Sequence, residues 1–485
     1  MDFTTWEYYL YFLPAVVLLT FAFFKGRKFS QMVIICLSSY FFFFLASGWH
    51  VVLLWFSTFL DWNVAKKIHL ATGNAKKNWL KLSLVLNLLL LGIFKYLDFI
   101  ISSLNLISLN FWWASEIDPV GILLPVGISF YTFQTMSYSI DVYKGNMEPY
   151  DSPIDFAAYA AFFPQLVAGP IVRASHFKTQ IKTPLFFNST AFRIGISMIL
   201  YGLVKKIVFA NNFAAHVDAI FLDGQPLENS ALVWWGTLCF GLQIYCDFSA
   251  YTDIALGSAI ILGIKIPENF NFPYIATSPQ DFWRRWHISL STWLRDYLYI
   301  PLGGSRNGNK RLVFALMGTM LLGGLWHGAS WNFVLWGFVH GIILLAHRVL
   351  SSSSITTTLF ENKYSRMPMI LISWATTQFL VFMTWLIFRV EDTNMLNTSL
   401  KSFIGYNSYF DFDEAVSSLP EVKLVTLCLV LILVIFHPIS HRLGRGRDFY
   451  SKSHPIIWGL ITSVFILAML FLRPETTSEF IYFRF

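Results

Sequence analysis

Long apolar runs alternate with short polar loops along most of the chain. Several runs reach the roughly 18 to 20 apolar residues that a helix needs to cross the hydrocarbon core of a bilayer. About eleven to thirteen such segments can be distinguished, and the first, residues 6–24, is predicted to be a retained helix because no small-residue cleavage site follows it. The pattern predicts an all-α polytopic membrane protein with re-entrant or interfacial helices beside the transmembrane ones.

Composition agrees with a membrane protein and excludes an ordinary soluble domain. Hydrophobic residues make up 55% of the chain and charged residues 13%, whereas a soluble globular chain carries roughly 25% charged residues. The net charge of +7 comes from basic residues in short loops, such as 25–28 and 441–452, that alternate with acidic or neutral loops. Since basic loops face the cytoplasm, we expect a multi-pass protein of the inner (cytoplasmic) cell membrane, with both chain ends outside and no nucleic-acid partner.

Two apolar stretches, residues 123–143 and 162–173, contain Pro, Gly, Gln or Ser at apparent membrane depth. Irregular backbone at that depth is tolerated only where it is buried in protein or lines a cavity. Kinked helices that pack through small residues and a re-entrant element beside a cavity both fit this pattern. The four cysteines lie in apolar runs without a CxxC pair, so we expect buried thiols at Cys36, Cys239, Cys246 and Cys428.

Neither a soluble domain nor a clear internal repeat interrupts the membrane pattern. The chain is therefore predicted to form one integral membrane domain over residues 1–485. Within it we distinguish N-terminal helices at 1–115, a motif-bearing core at 120–350 and C-terminal helices at 351–485.

The largest polar interruption covers residues 265–311 and contains seven Lys or Arg against three Asp or Glu. Its centre, residues 281–299, fits one amphipathic helix, with Ser278 as the N-cap and Pro279 at the first helical position. One interpretation is a helix that lies on the membrane surface and is anchored by its tryptophans. The other is a helix that enters the protein and presents arginines to an anionic ligand, because the planar guanidinium binds two phosphate oxygens.

His327 stands in the middle of a stretch without charge, residues 321–338. An imidazole there loses its hydration, so it is expected only where a partner or a function retains it. Acyl transfer to a hydroxyl requires a base, and imidazole, with an unperturbed pKa of about 6.5, suits this task at neutral pH. Glycines around it would let a substrate or a neighbouring backbone approach closely. A structural histidine and a general base are both open interpretations.

The stretches 281–306 and 323–341 resemble motifs of the membrane-bound O-acyltransferase family, in its bacterial branch of alginate O-acetyltransferases and teichoic acid D-alanyl transfer proteins. Residues 129–145, 162–173 and 243–257 are similar to the same branch and follow the family's order. The resemblance implies many helices around a central funnel that brings a cytoplasmic acyl donor to a catalytic histidine. The histidine of the Trp-His-Gly motif is His327, and the family's second motif position, an Asn or His, falls on His287.

Further site residues follow from this resemblance and from the residue chemistry of the motifs. The donor is expected to contact Trp283, Arg284, Arg285, Trp286 and Ser289. The tunnel is expected to be lined by Gln134, Asp247, Trp326 and Asn332.

Two acids lie inside the apolar run around residues 243–257. Gln243, Asp247 and Tyr251 are spaced at four-residue intervals, so they share one helix face. Asp247 and Asp253 are predicted to be paired structural carboxylates, with an arginine of the 265–311 region as a candidate partner, and a catalytic role is the alternative. The chain has no HExxH or GxSxG motif, and we predict no metal.

The last six residues read FIYFRF. Aromatic residues near a chain end are usually interfacial anchors. A similar C-terminal motif occurs in this acyltransferase branch or in its small partner peptides, which implies a transient acyl carrier at Tyr482. Because a phenol leaves more readily than an alkoxide, an aryl ester there would keep its transfer potential.

These observations predict an O-acyltransferase that passes an acyl group, with acetyl favoured, from acetyl-CoA or another cytoplasmic acyl thioester to a cell-surface polysaccharide such as alginate. The resemblance implies an extracytoplasmic SGNH-hydrolase-like acyltransferase and polysaccharide biosynthesis proteins as partners, within membrane lipid. A D-alanyl or other acyl group from a carrier protein stays open. The rival functions are a transporter or flippase with a His/Asp proton relay and a scaffold whose partner performs the chemistry.

Overall fold

Helices form nearly all the regular structure of the chain. The computed structural model describes residues 3–111, 116–222, 227–420, 423–475 and 478–481, and within these ranges an isolated bridge between Asn229 and Tyr409 is the only β-type pairing. The prediction of an all-α polytopic membrane protein is confirmed. The chain folds as two compact units, residues 1–199 with 254–267 and residues 200–253 with 268–485.

The first unit contains the N-terminal helices and the irregular segments that follow them. π-Helical turns occur at Tyr8–Phe12, Leu19–Phe23 and Gly92–Tyr96. Its α-helices, the last of which ends in the second unit, are α1 (Leu13–Leu18), α2 (Lys28–Ser47), α3 (Val51–Leu70), α4 (Gly73–Leu91), α5 (Leu97–Phe111), α6 (Ile128–Lys144), α7 (Pro153–Ala160), α8 (Phe163–Leu166), α9 (Ala174–Gln180) and α10 (Ser189–Val204).

The second unit contains the two motif histidines. π-Helical turns occur at Lys205–Ala210 and Arg295–Tyr299. Its α-helices, of which the second ends in the first unit, are α11 (Asn211–Phe221), α12 (Ser230–Ile261), α13 (Pro279–Arg285), α14 (Ile288–Leu294), α15 (Gly308–His327), α16 (Trp331–Ser351), α17 (Ser354–Glu361), α18 (Arg366–Arg389), α19 (Thr393–Phe403), α20 (Phe412–Ser417), α21 (Lys423–Leu443), α22 (Gly446–Lys452) and α23 (Pro455–Phe471).

Five segments of the described chain are long and apolar enough to cross a membrane: Lys28–Leu70, Gly73–Ile107, Trp331–Ser351, Arg366–Arg389 and Lys423–Leu443. Two shorter apolar helical segments, Tyr8–Phe23 and Pro455–Phe471, add to them. The expected number of about eleven to thirteen spans stays a prediction.

The irregular stretch at 162–172 is buried throughout in the first unit. The short helix α8 begins at Phe163 with Pro164 in its first turn, and after Leu166 the chain continues without regular structure as far as α9. The polar backbone at this point is therefore enclosed by protein, as irregular backbone at membrane depth requires.

A buried carboxylate cluster joins α3, α4 and α6 within the same unit. Asp61 is fully buried and accepts hydrogen bonds from Ser83 at 2.5 Å, Asn87 at 2.8 Å and Ser139 at 3.1 Å. Because a buried carboxylate is tolerated only when it is hydrogen-bonded, this cluster explains the polar residues inside these apolar helices. Of the cysteines, Cys36, Cys239 and Cys246 are buried as expected, whereas Cys428 is exposed on α21.

Candidate active site

His327 is the last residue of α15, at the corner of a tight hairpin with α16. Glycines let the two helices approach closely: a Cβ atom at Gly324 would overlap the carbonyl oxygen of Phe333, and one at Gly337 would overlap that of Met320. Ser330 caps the start of α16 by accepting a hydrogen bond from the Asn332 amide. The expected close approach of backbone beside the histidine is present, and the hairpin fixes His327 in a position that is only 7% exposed.

His287 lies in a turn between two short helices, where the sequence predicted one continuous helix over 281–299. Helix α13 ends at Arg285, α14 begins at Ile288, and His287 adopts the left-handed conformation with φ of 43°. Asn269 holds this turn: its carbonyl oxygen accepts from the Ile288 amide at 3.0 Å and its side chain accepts from the Ser289 amide at 3.2 Å. The single-helix prediction is therefore wrong, although Ser278 caps α13 and Pro279 begins it as expected.

The tryptophans of this region are not membrane-surface anchors. Trp286 and Trp293 are only 1% and 5% exposed, and the Trp286 ring centroid lies 4.9 Å from that of Trp385 on α18. The segment enters the protein, as the second of the two interpretations expected, while the binding of an anionic ligand by its arginines stays a prediction.

Aromatic rings connect the two motif histidines within the second unit. The Trp326 ring lies between them, with centroid distances of 5.7 Å to His287 and 5.1 Å to His327. Phe248 on α12 packs edge-on against His287 at 4.7 Å, and Trp336 packs against His327 at 5.2 Å. Burial lowers the pKa of His287 to about 3, so its imidazole is neutral at physiological pH.

A cavity of about 630 Å³ opens beside His327. Its volume lies in the range of about 300 to 1,000 Å³ that is typical of ligand sites. Three arginines line it, Arg284, Arg295 and Arg348, while no Asp or Glu is among the described residues of its wall. The cavity thus joins a histidine to a cationic surface.

Some residues predicted to bind the donor lie on this cavity and others do not. Trp283 and Arg284 line it. Arg285 is instead paired with Asp281 at 2.9 Å, Trp286 packs in the aromatic core, and the Ser289 amide bonds to Asn269. Arg295 and Arg348 were not predicted, because neither stands next to a motif histidine in the sequence.

The residues predicted to line a tunnel have different partners within their own units. Trp326 lies between the histidines, while Asn332 donates hydrogen bonds to the carbonyl oxygens of Val390 at 2.6 Å and Glu391 at 3.1 Å. Gln134 belongs to the first unit, where it donates to the Tyr159 carbonyl oxygen at 2.9 Å. Asp247 contacts the C-terminal segment.

The two acids of α12 are paired, as expected, but their partners are different from those predicted. Asp247 pairs with Lys206 at 2.6 Å, and Asp253 pairs with Lys205 at 2.6 Å and with Arg447. None of these cations belongs to the 265–311 region. The sequence could have indicated these partners through the two lysines inside the apolar run at 203–209, because a buried lysine requires a buried acid.

The C-terminal segment at 478–481 enters the second unit. Phe480 and Ile481 are buried, and Ile481 belongs to the same hydrophobic core as Phe248 and Trp336, the rings that contact the two histidines. Tyr482, predicted to carry the acyl group, lies outside the described residues.

Among the described residues, no three His, Cys, Asp or Glu side chains come together in a way that would hold a metal ion. The arrangement offers two buried histidines joined through the Trp326 ring, of which His327 lines a cavity together with three arginines. Such a combination can take a proton from a nucleophile while a negatively charged donor is held in place.

Comparisons with known proteins agree with this geometry. The family model of the membrane-bound O-acyltransferases matches residues 149–388. The chain is 34% identical to the probable alginate O-acetylase AlgI of Pseudomonas putida over 100% of both chains, and 34% identical to the peptidoglycan O-acetyltransferase of Helicobacter pylori over 98% of this chain and 94% of that protein. It is 28% identical to the teichoic acid D-alanyltransferase of Bacillus subtilis over 52% of this chain and 64% of that protein. The chain therefore belongs to the membrane-bound O-acyltransferase family.

Proposed function

We propose that this O-acyltransferase takes an acyl group from a cytoplasmic thioester and delivers it across the membrane for O-acylation of a cell-surface polysaccharide. The observation that carries the proposal is the cavity that His327 shares with Arg284, Arg295 and Arg348. A thioester donor such as coenzyme A or a phosphopantetheine carrier bears phosphates. Arginines bind these groups strongly, and the described residues of the wall include no carboxylate that would repel them.

His327 acts as the general base in this proposal. It accepts the proton of the attacking hydroxyl while the oxygen bonds to the thioester carbonyl carbon. The C–S bond then breaks, and the thiolate leaves with the proton that His327 returns. His287, neutral and linked to His327 through Trp326, donates a hydrogen bond that orients or polarises the acyl carbonyl.

Tyr482 is the first acceptor in the proposed sequence. Its phenol oxygen forms an aryl ester, which a second hydroxyl then attacks with release of the phenol. Support comes from Ile481, the preceding residue, which is buried in the core whose members Phe248 and Trp336 contact the two histidines. A separate extracytoplasmic transferase of the SGNH-hydrolase type, together with polysaccharide biosynthesis proteins, would complete the transfer.

The names of the relatives favour acetyl over D-alanyl transfer. The alginate O-acetylase and peptidoglycan O-acetyltransferase relatives align along nearly the whole chain, whereas the D-alanyltransferase aligns over about half of it. We therefore propose acetyl-CoA as the donor, with a carrier-bound acyl group as the second candidate.

The proposed function is tested with the purified protein in nanodiscs. Acetyl-CoA and a D-alanyl carrier protein are supplied separately, and thiol release is measured with and without Tyr482→Phe. Thiol release with acetyl-CoA supports the proposal. Release with the carrier alone supports the second candidate, and absence of both, with substrate flux across proteoliposomes, supports a transporter.

Replacing Arg284 or Arg348 with alanine is expected to raise the donor KM by about 10- to 100-fold, because each loses a charge-assisted hydrogen bond that contributes roughly 1.5 to 3 kcal/mol. The turnover number changes little, since neither guanidinium acts on the reacting atoms. Donor kinetics in nanodiscs check this result.

Arg366→Ala is the matched control, because this arginine is exposed at the start of α18 and outside the cavity wall. Arg285→Ala is expected to raise KM less than Arg284→Ala. A donor KM that is unchanged in both cavity variants contradicts the proposed donor site.

Replacing Tyr482 with phenylalanine is expected to abolish transfer to the polysaccharide while donor binding persists, because only the phenol oxygen is removed. Mass spectrometry of the C-terminal peptide after incubation with acetyl-CoA should show a mass increase of one acetyl group in the wild type and none in the variant. An unmodified wild-type peptide during turnover would contradict the relay.

A further inference from the structure

The buried ion pair between Lys206 and Asp247 makes specific contacts with the C-terminal segment. The Asp247 carboxylate accepts a hydrogen bond from the Ile481 amide at 2.5 Å, and the Lys206 ammonium donates to the Glu479 carbonyl oxygen at 3.1 Å. Both side chains are at most 2% exposed. Both members of the pair thus bind main-chain atoms of the segment, which a purely structural ion pair would not require.

Further contacts fix the same segment from two helices. The Lys206 ammonium lies 4.6 Å from the centroid of the Phe480 ring, which packs edge-on against Tyr251 on α12. At the start of α11, Asn211 accepts a hydrogen bond from the Ser478 hydroxyl at 3.0 Å. The segment is therefore held by side chains and main chain together, in a low-dielectric setting where charge-assisted hydrogen bonds are strong.

The next lysine and the next acid supply an internal comparison. Lys205 pairs with Asp253, which also binds Arg447 of α22, and neither contacts residues 478–481 in the contacts described. Two adjacent lysines thus serve different partners on α12. The pair of Lys205 and Asp253 binds α22, and the pair of Lys206 and Asp247 binds the segment 478–481.

Two residues of the helix face predicted on α12 also contact the segment 478–481. Tyr251 contacts Phe480, and Asp247, one turn earlier, contacts Ile481. Phe248, the residue after Asp247, packs against His287. The helix that contacts Phe480 and Ile481 therefore also contacts the second motif histidine.

We propose that Lys206 and Asp247 are positioning residues that anchor the C-terminal segment and so present Tyr482 for acyl transfer. The inference rests on the proposed relay through Tyr482. It adds a binding site for the segment 478–481 that is separate from the motif histidines. An anchored nucleophile reacts faster than a mobile one because its orientation is fixed before the reaction.

The experiment compares the wild type with Lys206→Met/Asp247→Leu, in nanodiscs. Both charges are removed together because a single substitution leaves an unpaired buried charge, which threatens folding. The matched control is Lys205→Met, since Asp253 keeps its pairing with Arg447. Hydrogen exchange of the C-terminal peptide reports anchoring, acetylation of Tyr482 reports presentation, and coenzyme A binding reports an intact donor site.

In the double variant, we expect exchange of the C-terminal peptide to accelerate at least about tenfold and the initial rate of Tyr482 acetylation to fall at least about tenfold, with coenzyme A affinity unchanged. Lys205→Met should match the wild type in all three measurements. A charge swap, Lys206→Asp/Asp247→Lys, restores the ion pair but not the acceptor for the Ile481 amide, so it should not restore acetylation.

Protection of the peptide that persists in the double variant overturns the anchor, whatever the acetylation result. Rescue by the charge swap also overturns it, because an ion pair alone would then suffice. If the wild type is never acetylated at Tyr482, the relay itself fails, and the exchange measurement still reports on the anchor separately.

Discussion

Replacing His327 with alanine or glutamine is expected to reduce the turnover number of acyl transfer by about 10²- to 10⁴-fold, the usual contribution of a positioned general base. Glutamine keeps much of the volume of the ring but cannot accept the proton at neutral pH. Thiol release from acetyl-CoA by the purified variants in nanodiscs measures the effect, and their melting temperatures show that the fold persists.

His340→Leu is the matched control for this variant. His340 is buried on α16 and packs against Trp336 at 4.6 Å, in the same aromatic cluster, but it is not part of the cavity wall. Its replacement should leave the turnover number close to that of the wild type. Equal losses of turnover in the two variants would mean that packing, and not proton transfer, explains the requirement for His327.

Gly324→Ala is expected to destabilise the protein by about 1 to 3 kcal/mol, because its Cβ atom overlaps the Phe333 carbonyl oxygen and forces α15 and α16 apart. Since this hairpin positions His327, activity should fall with stability. Thermal unfolding followed by intrinsic tryptophan fluorescence in one detergent measures the change.

Gly318→Ala, on the same helix, provides the comparison. The nearest atom that its Cβ would meet is a Leu302 methyl at 3.6 Å, an ordinary contact. Alanine there should be neutral or stabilise the helix by up to about 1 kcal/mol. A Gly324→Ala protein that melts at or above the wild-type temperature would contradict the prediction, because the hairpin would then accommodate the added methyl group without strain.

The sequence predicts the fold class well. Apolar run length alone identifies a membrane protein, and the start of α13 follows from Ser278 and Pro279. It does not predict the break at His287, because the spacing of Asp281, Arg285 and Ser289 remains helical on both sides of it. The break depends on Asn269, which lies outside the predicted helix in the sequence and binds the turn only in the folded chain.

The ion-pair partners of the buried acids are the second feature that the sequence does not predict. The acids within the apolar helix α12 indicate that cations must lie nearby. Helical spacing, however, predicts contacts only between residues of the same helix. Lys205 and Lys206 belong to the π-helical turn that precedes α11, and Arg447 belongs to α22, 194 residues after Asp253 in the chain. Which lysine meets which acid depends on helix packing, and so does the contact of one pair with the chain end.

The backbone at His287 restricts which amino acids can serve there. A φ of 43° is costly for most side chains and prohibitive for β-branched ones, whereas asparagine, aspartate and histidine tolerate it best among residues larger than glycine. Of these three, aspartate brings a negative charge, which a fully buried site disfavours. Stereochemistry and solvation alone thus leave asparagine and histidine, the same two residues that the family resemblance of the sequence implies at this position.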